Sequence, residues 1–565
     1  MAETKPKIRR DNLENAAQSH IVPENDEGNK EYKLKLLNSS PERIEQTMTQ
    51  MRYRIQEGDG EAFYTLGVTD SGGVIGLSDE EYKKSKEILD IIAQKSNYTL
   101  TLISEHNVDD TKKMYEFLVR EKNPIKYVDV RIACAGHVDA GKSSLLGVLL
   151  SGTNDNGRGA ARLHVFNFQH EVKTGRTSSV AQHILGFDSS GNPVNYGDAF
   201  GRPKTWPEIV QHSSKIVTFF DLCGHEKYLK TTILGLTSQS PDLVFILVGG
   251  NMGMSKMTKE HIFLCLSLHI PFVVIITKID ICKDRANVLE DTVSEVKQLI
   301  KAPGIRRIPY DIRSPEDVMI CVKNINGNTT VPFFYVSNVT GEGIDNVRSF
   351  LNLFTKKGKS EVNENKLEYH VDQTFQVTGV GTVIGGQLIN GKIKIGDKLL
   401  VGPENGEYVT IQVRSIHCKR VGLDEVDSGR YVCIGVKKPE SLTIRRGHVI
   451  ISPVDKPVHV EEFDAEIVVL KSHSTTIKPG YEPVVHTGSI RQTARIISIT
   501  NKQCARNQTD TDETVLRTGD RATVRFKFCY KPEYVRKGSR LLLAEGRVKI
   551  IGKIIGVTEK VLNIV

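Results

Sequence analysis

Between residues 127 and 357, short and almost unbroken apolar runs recur: VDVRIACAG, KIVTFFD, LVFILVG, FVVIITK and FFYVSN, with stretches of helical periodicity between them. Runs of this kind suit strands buried on both faces, so they predict a mostly parallel sheet covered by helices over 125–358. Upstream the pattern is different. Ile44, Met48, Met51 and Ile55 fall at helical spacing, and AFYTLGV and VIGL flank a turn near 70–73 that suggests a hairpin. Ser78 and Glu81 read as a capping box ahead of a helix, and YTLTLIS as a further strand, so 41–124 is expected to be a small α+β domain. Residues 1–40 are polar and charged with few large apolar side chains, and are expected to be a solvated tail. After KKGKSEVNENK, read as a linker over 359–367, strands of about five residues alternate with turn signals such as NG, GD and PENG. That pattern predicts two β-barrels, over 368–455 and 456–565.

A length of 565 residues supports this modular reading, since one core does not grow to that size. Apolar residues at 39% and charged residues at 25% are ordinary globular values, which confines disorder to short segments. The net charge of +8 suits phosphate-rich partners without requiring them. Nine cysteines, scattered and never in a CxxC pair, argue against a disulfide framework or a zinc site and for a reduced, cytoplasmic setting. The opening residues lack a signal-peptide core and no window reaches a membrane span, so no membrane association is expected.

The chemistry concentrates where predicted strands end. Gly136, His137, Val138, Asp139, Ala140, Gly141, Lys142 and Ser143 follow RIACA, and Ser144 continues into the helical run SSLLGVLLS. This is the strand, loop and helix context of a P-loop, whose glycines let backbone N–H groups close on a β-phosphate. Lys142 is placed to reach the β- and γ-phosphates and Ser143 to ligate Mg²⁺. Asp221 and Gly224 form a DxxG at the end of KIVTFFD, where a carboxylate can hold the Mg²⁺ shell and a glycine N–H can meet the γ-phosphate. Thr277, Lys278 and Asp280 end FVVIITK, and Ser337, Asn338 and Val339 end FFYVSN. Asp280 can accept both the ring N–H and the exocyclic amine of guanine, a pair that adenine lacks. Lys278 can lay its stem along the purine, and N–H groups near Ser337 can bind the base oxygen. Four motifs in this order put a ligand site at the carboxyl edge of the sheet.

With these residues in place, the chain resembles the translation factors related to elongation factor Tu and elongation factor 1-alpha. The strings HEVKTGRTSSV, DLCGHEKYLKTTILGL, MTKEHIFL and SNVTGEG are most similar to the group called GTP-binding proteins 1 and 2, over about 44–565. The resemblance implies a GTPase that binds GTP and GDP with Mg²⁺ and acts as a monomer on the ribosome with transfer RNA or a transfer-RNA-like factor. A regulatory or RNA-surveillance switch is the alternative, and a sulfate-activating type of GTPase a third. It implies that Thr177 joins Mg²⁺ and the γ-phosphate, so that Thr177, Ser143 and Asp221 are the metal-site residues. It also implies that His225 positions the attacking water, so that His225, Thr177 and Lys142 carry catalysis. Asp139 matches either a monovalent-cation ligand or a simple loop bond.

Three positions depart from the class. Thr277 stands where many relatives have Asn, which implies weaker base affinity. Arg176 replaces an isoleucine of the gate over the water, leaving either a phosphate-stabilising cation or a solvent-facing side chain. In RSIHCKRV, His417 takes the place of a glutamate that contacts the terminal adenosine of transfer RNA. Lys419 and Arg420 beside it could hold phosphates or form an ordinary basic turn.

Overall fold

The computed structural model describes residues 21–25, 27–37, 40–122, 127–166, 169, 171, 180–197, 202–302, 305–356, 366–404, 406–470, 476–504, 512–545 and 547–561. Its first unit is a sheet of β1 (Lys30–Lys33), β2 (Glu61–Leu66), β3 (Tyr98–Asn107) and β4 (Lys113–Glu121), ordered β1-β2-β4-β3. Two helices, α1 (Pro41–Glu57) and α2 (Asp79–Lys95), pack Met51, Ile55, Leu89 and Ile92 onto Tyr64 and Phe117 of that sheet. Helix α2 starts on the Ser78 and Glu81 capping box, satisfying amides that the first turn leaves without intrahelical partners.

Strand β1 lies inside the stretch expected to be a solvated tail, and it pairs parallel with β2. The physical reason is a buried cation. Arg54 of α1 donates from Nε to Glu31 at 2.6 Å and pairs with Glu24, so acidic residues that read as solvated are neutralised inside the fold. The expected hairpin is reduced to a single bridge between Val68 and Val74, because β1 and β4 already occupy both edges of β2.

The second unit carries a sheet ordered β10-β11-β9-β8-β5-β7-β6. Its elements are β5 (Val128–Gly136), α3 (Lys142–Ser151), β6 (Ala181–Phe187), α4 (Trp206–Gln211), β7 (Lys215–Asp221), α5 (Leu229–Ser238), β8 (Leu243–Gly249), α6 (Lys256–Ser267), β9 (Phe272–Thr277), α7 (Ala286–Lys301), β10 (Ile308–Asp311), α8 (Pro315–Asn324), β11 (Thr330–Tyr335) and α9 (Ile344–Leu353). All pairings are parallel except β6 with β7. Two apolar clusters, one on each face of the sheet, explain why the strands carry no alternation.

The first unit is fixed to the amino-terminal ends of these strands, opposite the end where P-loops form. Glu61 accepts from Arg120 at 2.7 Å and from Lys215 at 3.1 Å, and both cations also donate to the Asn352 carbonyl. Most of the expected linker lies outside the described residues; after it, the pairing of Lys398–Glu404 with Glu407–Cys418 closes a ring that also includes Glu368–Val377, Gly381–Asn390, Tyr431–Lys437 and Val449–Ile451. A further closed barrel begins with Val458–Val469 and ends with Arg547–Val561. The architecture is the one expected, a helix-covered nucleotide-type domain followed by two barrels and preceded by a small α+β unit.

Candidate functional site

The loop after β5 is shaped by contacts that only particular residues allow. Gly136 has φ +148° and lies so close to the Leu247 carbonyl that a Cβ would collide with it. Asp139 at φ +61° and Gly141 at φ +83° turn the chain into α3. Lys142 is buried, and its ammonium donates to the Gly136 carbonyl at 3.0 Å and the His137 carbonyl at 2.9 Å. Burial lowers its pKa, against the pull of Asp221, so the site holds a cation at a cost that an anionic ligand would offset. Gly224 approaches the same loop from β7, where a Cβ would stand 2.5 Å from the Gly136 oxygen. The Ser143 hydroxyl donates to Asp221 at 2.7 Å. A hydroxyl beside a buried carboxylate is a hard-oxygen donor pair of the kind that suits Mg²⁺. Thr177 and Arg176 lie outside the described residues.

The opposite end of the cleft is built from β9 and β11. Thr277 donates its hydroxyl to the Ala140 carbonyl at 2.8 Å and to Val248 at 3.3 Å, so that side chain braces the P-loop rather than facing the cleft. Lys278 takes φ +62° immediately after the strand, and it and Asp280 line the cavity. Ser337 is buried and accepts from the N–H groups of Val339 at 3.2 Å and Thr340 at 3.1 Å, which folds the loop back on itself.

These residues surround one cleft of about 980 Å³, large enough for a nucleoside triphosphate. Val138, Asp139, Gly141, Lys142, Ser143, Ser144, Gly224, His225, Lys278, Asp280, Asn338 and Val339 stand on its wall. Gly136, His137, Ala140, Asp221, Thr277 and Ser337 support that wall from behind through the contacts just described or their place in these loops. His225 is exposed at the mouth, where its Nδ1 accepts the Lys227 N–H at 3.1 Å and its ring meets the edge of Tyr228. Sequence reading missed Asp155, Gly157, Arg158, Gly159 and Arg162, which line the same cleft. Their signal was the run NDNGRG, a turn-forming string directly after the P-loop helix.

Among the barrel residues, Lys419 departs from both expected readings, a phosphate contact and an exposed turn. Lys419 pairs with Asp129 at 3.2 Å and bonds the Thr218 hydroxyl, with its side chain 6% exposed. A phosphate could reach it only by breaking that bond between domains. Arg420 lies 4.7 Å over the Trp206 ring, and His417 is exposed.

Comparison with known proteins agrees with this arrangement. The family described as "Elongation factor Tu GTP binding domain" matches residues 129–362, and "Elongation factor Tu C-terminal domain" matches 456–558. GTP-binding protein 1 of Xenopus laevis is 42% identical over 524 residues, spanning 92% of this chain and 78% of the relative. GTP-binding protein 2 of Homo sapiens is 40% identical over 546 residues, spanning 95% and 88%. The apo crystal structure of translation elongation factor SelB from Methanococcus maripaludis shares the fold, with a TM-score of 0.51 at 18% identity over 76% of this chain and 79% of that one. On these similarities the chain is a GTP hydrolase and belongs to the GTP-binding protein 1 and 2 family of elongation factor Tu-type GTPases.

Proposed function

We propose that this GTPase turns over GTP on the ribosome, in the cytoplasm, together with transfer RNA or a transfer-RNA-like factor. The observation that supports it best is the convergence of four strand-end motifs on one cleft, with His225 at its open mouth rather than buried. In this reading Asp280 selects guanine, Lys142 neutralises the β- and γ-phosphates, and Ser143, Asp221 and Thr177 hold Mg²⁺, which when bound supplies charge stabilisation to the phosphates. His225 orients the attacking water once a ribosomal surface draws the ring inward. Its present contacts, one amide and one ring edge, are light enough to be exchanged.

The test is single-turnover GTP cleavage by the full chain with and without ribosomes, for wild type and His225→Ala. The variant should keep nucleotide affinity while stimulated cleavage falls by roughly 10²-fold, the scale of a lost transition-state donor. Wild-type cleavage that ribosomes do not accelerate would refute the ribosomal reading and favour a regulatory switch.

A further inference from the structure

The loop that follows the P-loop helix is a rigid bracket. Asp155 is buried and accepts N–H groups from Gly157 at 3.0 Å, Gly159 at 3.1 Å and Ala161 at 2.8 Å. Asn156 accepts from Arg158 at 2.9 Å and Ala160 at 3.3 Å. At one end the bracket is joined to the base-side loop, because the Asp155 N–H donates to the Asn338 carbonyl at 2.7 Å. At the other it lies on α3, where Gly147 lets the Ala161 carbonyl come within contact. Two residues of the bracket, Arg158 and Arg162, stand on the cleft wall. The Arg162 guanidinium packs beneath Gly159, where a Cβ would lie 2.7 Å from its Cζ, whereas Arg158 is exposed.

We infer that Arg158 is a nucleotide-retaining residue that engages the α-phosphate and ribose end of a bound guanine nucleotide. This inference rests on the nucleotide reading of the cleft given above. The other cations are placed for other parts of the ligand. Lys142 sits inside the P-loop, Lys278 directly follows β9 two residues before Asp280, and Lys227 stands beside His225 at the mouth. The bracket runs from the base-side loop to the P-loop helix, so a nucleotide with its base at Asp280 and its β-phosphate at Lys142 would present its α-phosphate and ribose to this stretch of the wall. A guanidinium there meets an anion common to GDP and GTP, and because its backbone is already ordered the contact costs side-chain entropy only. Arg158 thus acts on retention of the nucleotide rather than on cleavage of the γ-phosphate.

Equilibrium titrations of the full-length protein with GDP, a non-hydrolysable GTP analogue and guanosine test this, using Arg158→Ala and Arg158→Gln. Both variants should lose affinity for GDP and for the analogue by the same factor of about 10, the scale of one charge-assisted contact. The loss should come mainly from faster dissociation, and guanosine binding should be unchanged. Asp155→Ala, which releases the bracket, should reproduce the pattern. Equal affinities of wild type and both arginine variants for GDP would overturn the inference, as would a loss confined to the triphosphate or one that extends equally to guanosine. If wild type itself does not bind guanine nucleotides, the functional reading fails instead. If wild type binds them and Asp280→Asn shifts preference toward xanthine nucleotides while Arg158→Ala is neutral, this inference alone fails.

Discussion

The nucleotide domain holds its two barrels by opposite means. Toward the last barrel the contact is apolar, with Leu542 and Ala544 in the same buried cluster as Leu229, Ile233 and Leu264. Toward the first barrel it is polar and paired residue by residue. Lys419 meets Asp129 and Thr218, Arg131 meets Gln387, Gln239 meets Asp372, and Tyr127 bonds Cys418 at 3.3 Å under the Arg430 guanidinium. Apolar burial is non-directional and tolerates small shifts. A buried polar network stabilises only while every partner is in place, and each group left over costs its desolvation. The first barrel is therefore held in one register by specific partners. Among the described residues of that cluster, the last is held by burial alone, without partner-by-partner pairing.

The sharpest way to break this contrast is at Asp129. Burial opposes its ionisation, but Lys419 and Arg131 outweigh it and hold the carboxyl below its usual range. Asp129→Ala strands the Lys419 ammonium and should cost about 3–5 kcal/mol in urea unfolding, while Asp129→Leu combined with Lys419→Met should recover most of it. A single variant as stable as wild type would show that the polar contact holds nothing. On the apolar side, Leu542→Ala should cost about 3 kcal/mol by lost transfer and cavity formation. That cost should be insensitive to salt, which a chloride series would check.

A pH series separates the two faces further. His486, in Val484–Thr487 of the last barrel, is buried; its pKa is lowered to about 4 by desolvation and by Arg491 and Lys230. The unfolded chain therefore binds this proton first. Stability is full above about pH 6.5 and falls as the pH drops toward 4, by about 2 kcal/mol at pH 5 for this group. His486→Gln should remove that part of the acid dependence, seen as a flatter midpoint-against-pH curve. The smallest effect is expected at Arg420, whose exposed cation–π contact with Trp206 is worth about 0.5–1 kcal/mol. A larger loss for Arg420→Ala would mean that the polar face depends on its rim as well as its buried pairs.

Much of the architecture could be read from local pattern. Unbroken apolar runs gave away β5, β7, β8, β9 and β11, because strands covered on both faces need no polar alternation. Strand β6 and strand β10 went unread: β6 is an antiparallel edge strand of mixed polarity, and β10 is four residues long. The nucleotide motifs were legible because their spacing along the chain is their geometry, with Gly136, Gly141 and Lys142 in one turn of loop and helix.

What the sequence determined by itself was therefore whatever depends on near neighbours: periodicity, turn chemistry, helix caps and the strand-end motifs. Tertiary structure decided which buried charges meet. Arg54 draws Glu31 and β1 into a fold across 23 residues, and Lys419 leaves the solvent for Thr218 across 201. It also turned Thr277 away from the base to brace Ala140, across 137 residues. A lysine or an arginine carries the same local signal whether it faces water or a distant carboxylate. The difference arises only when packing removes the water, and then the partner that is present, not the residue type, sets the free energy.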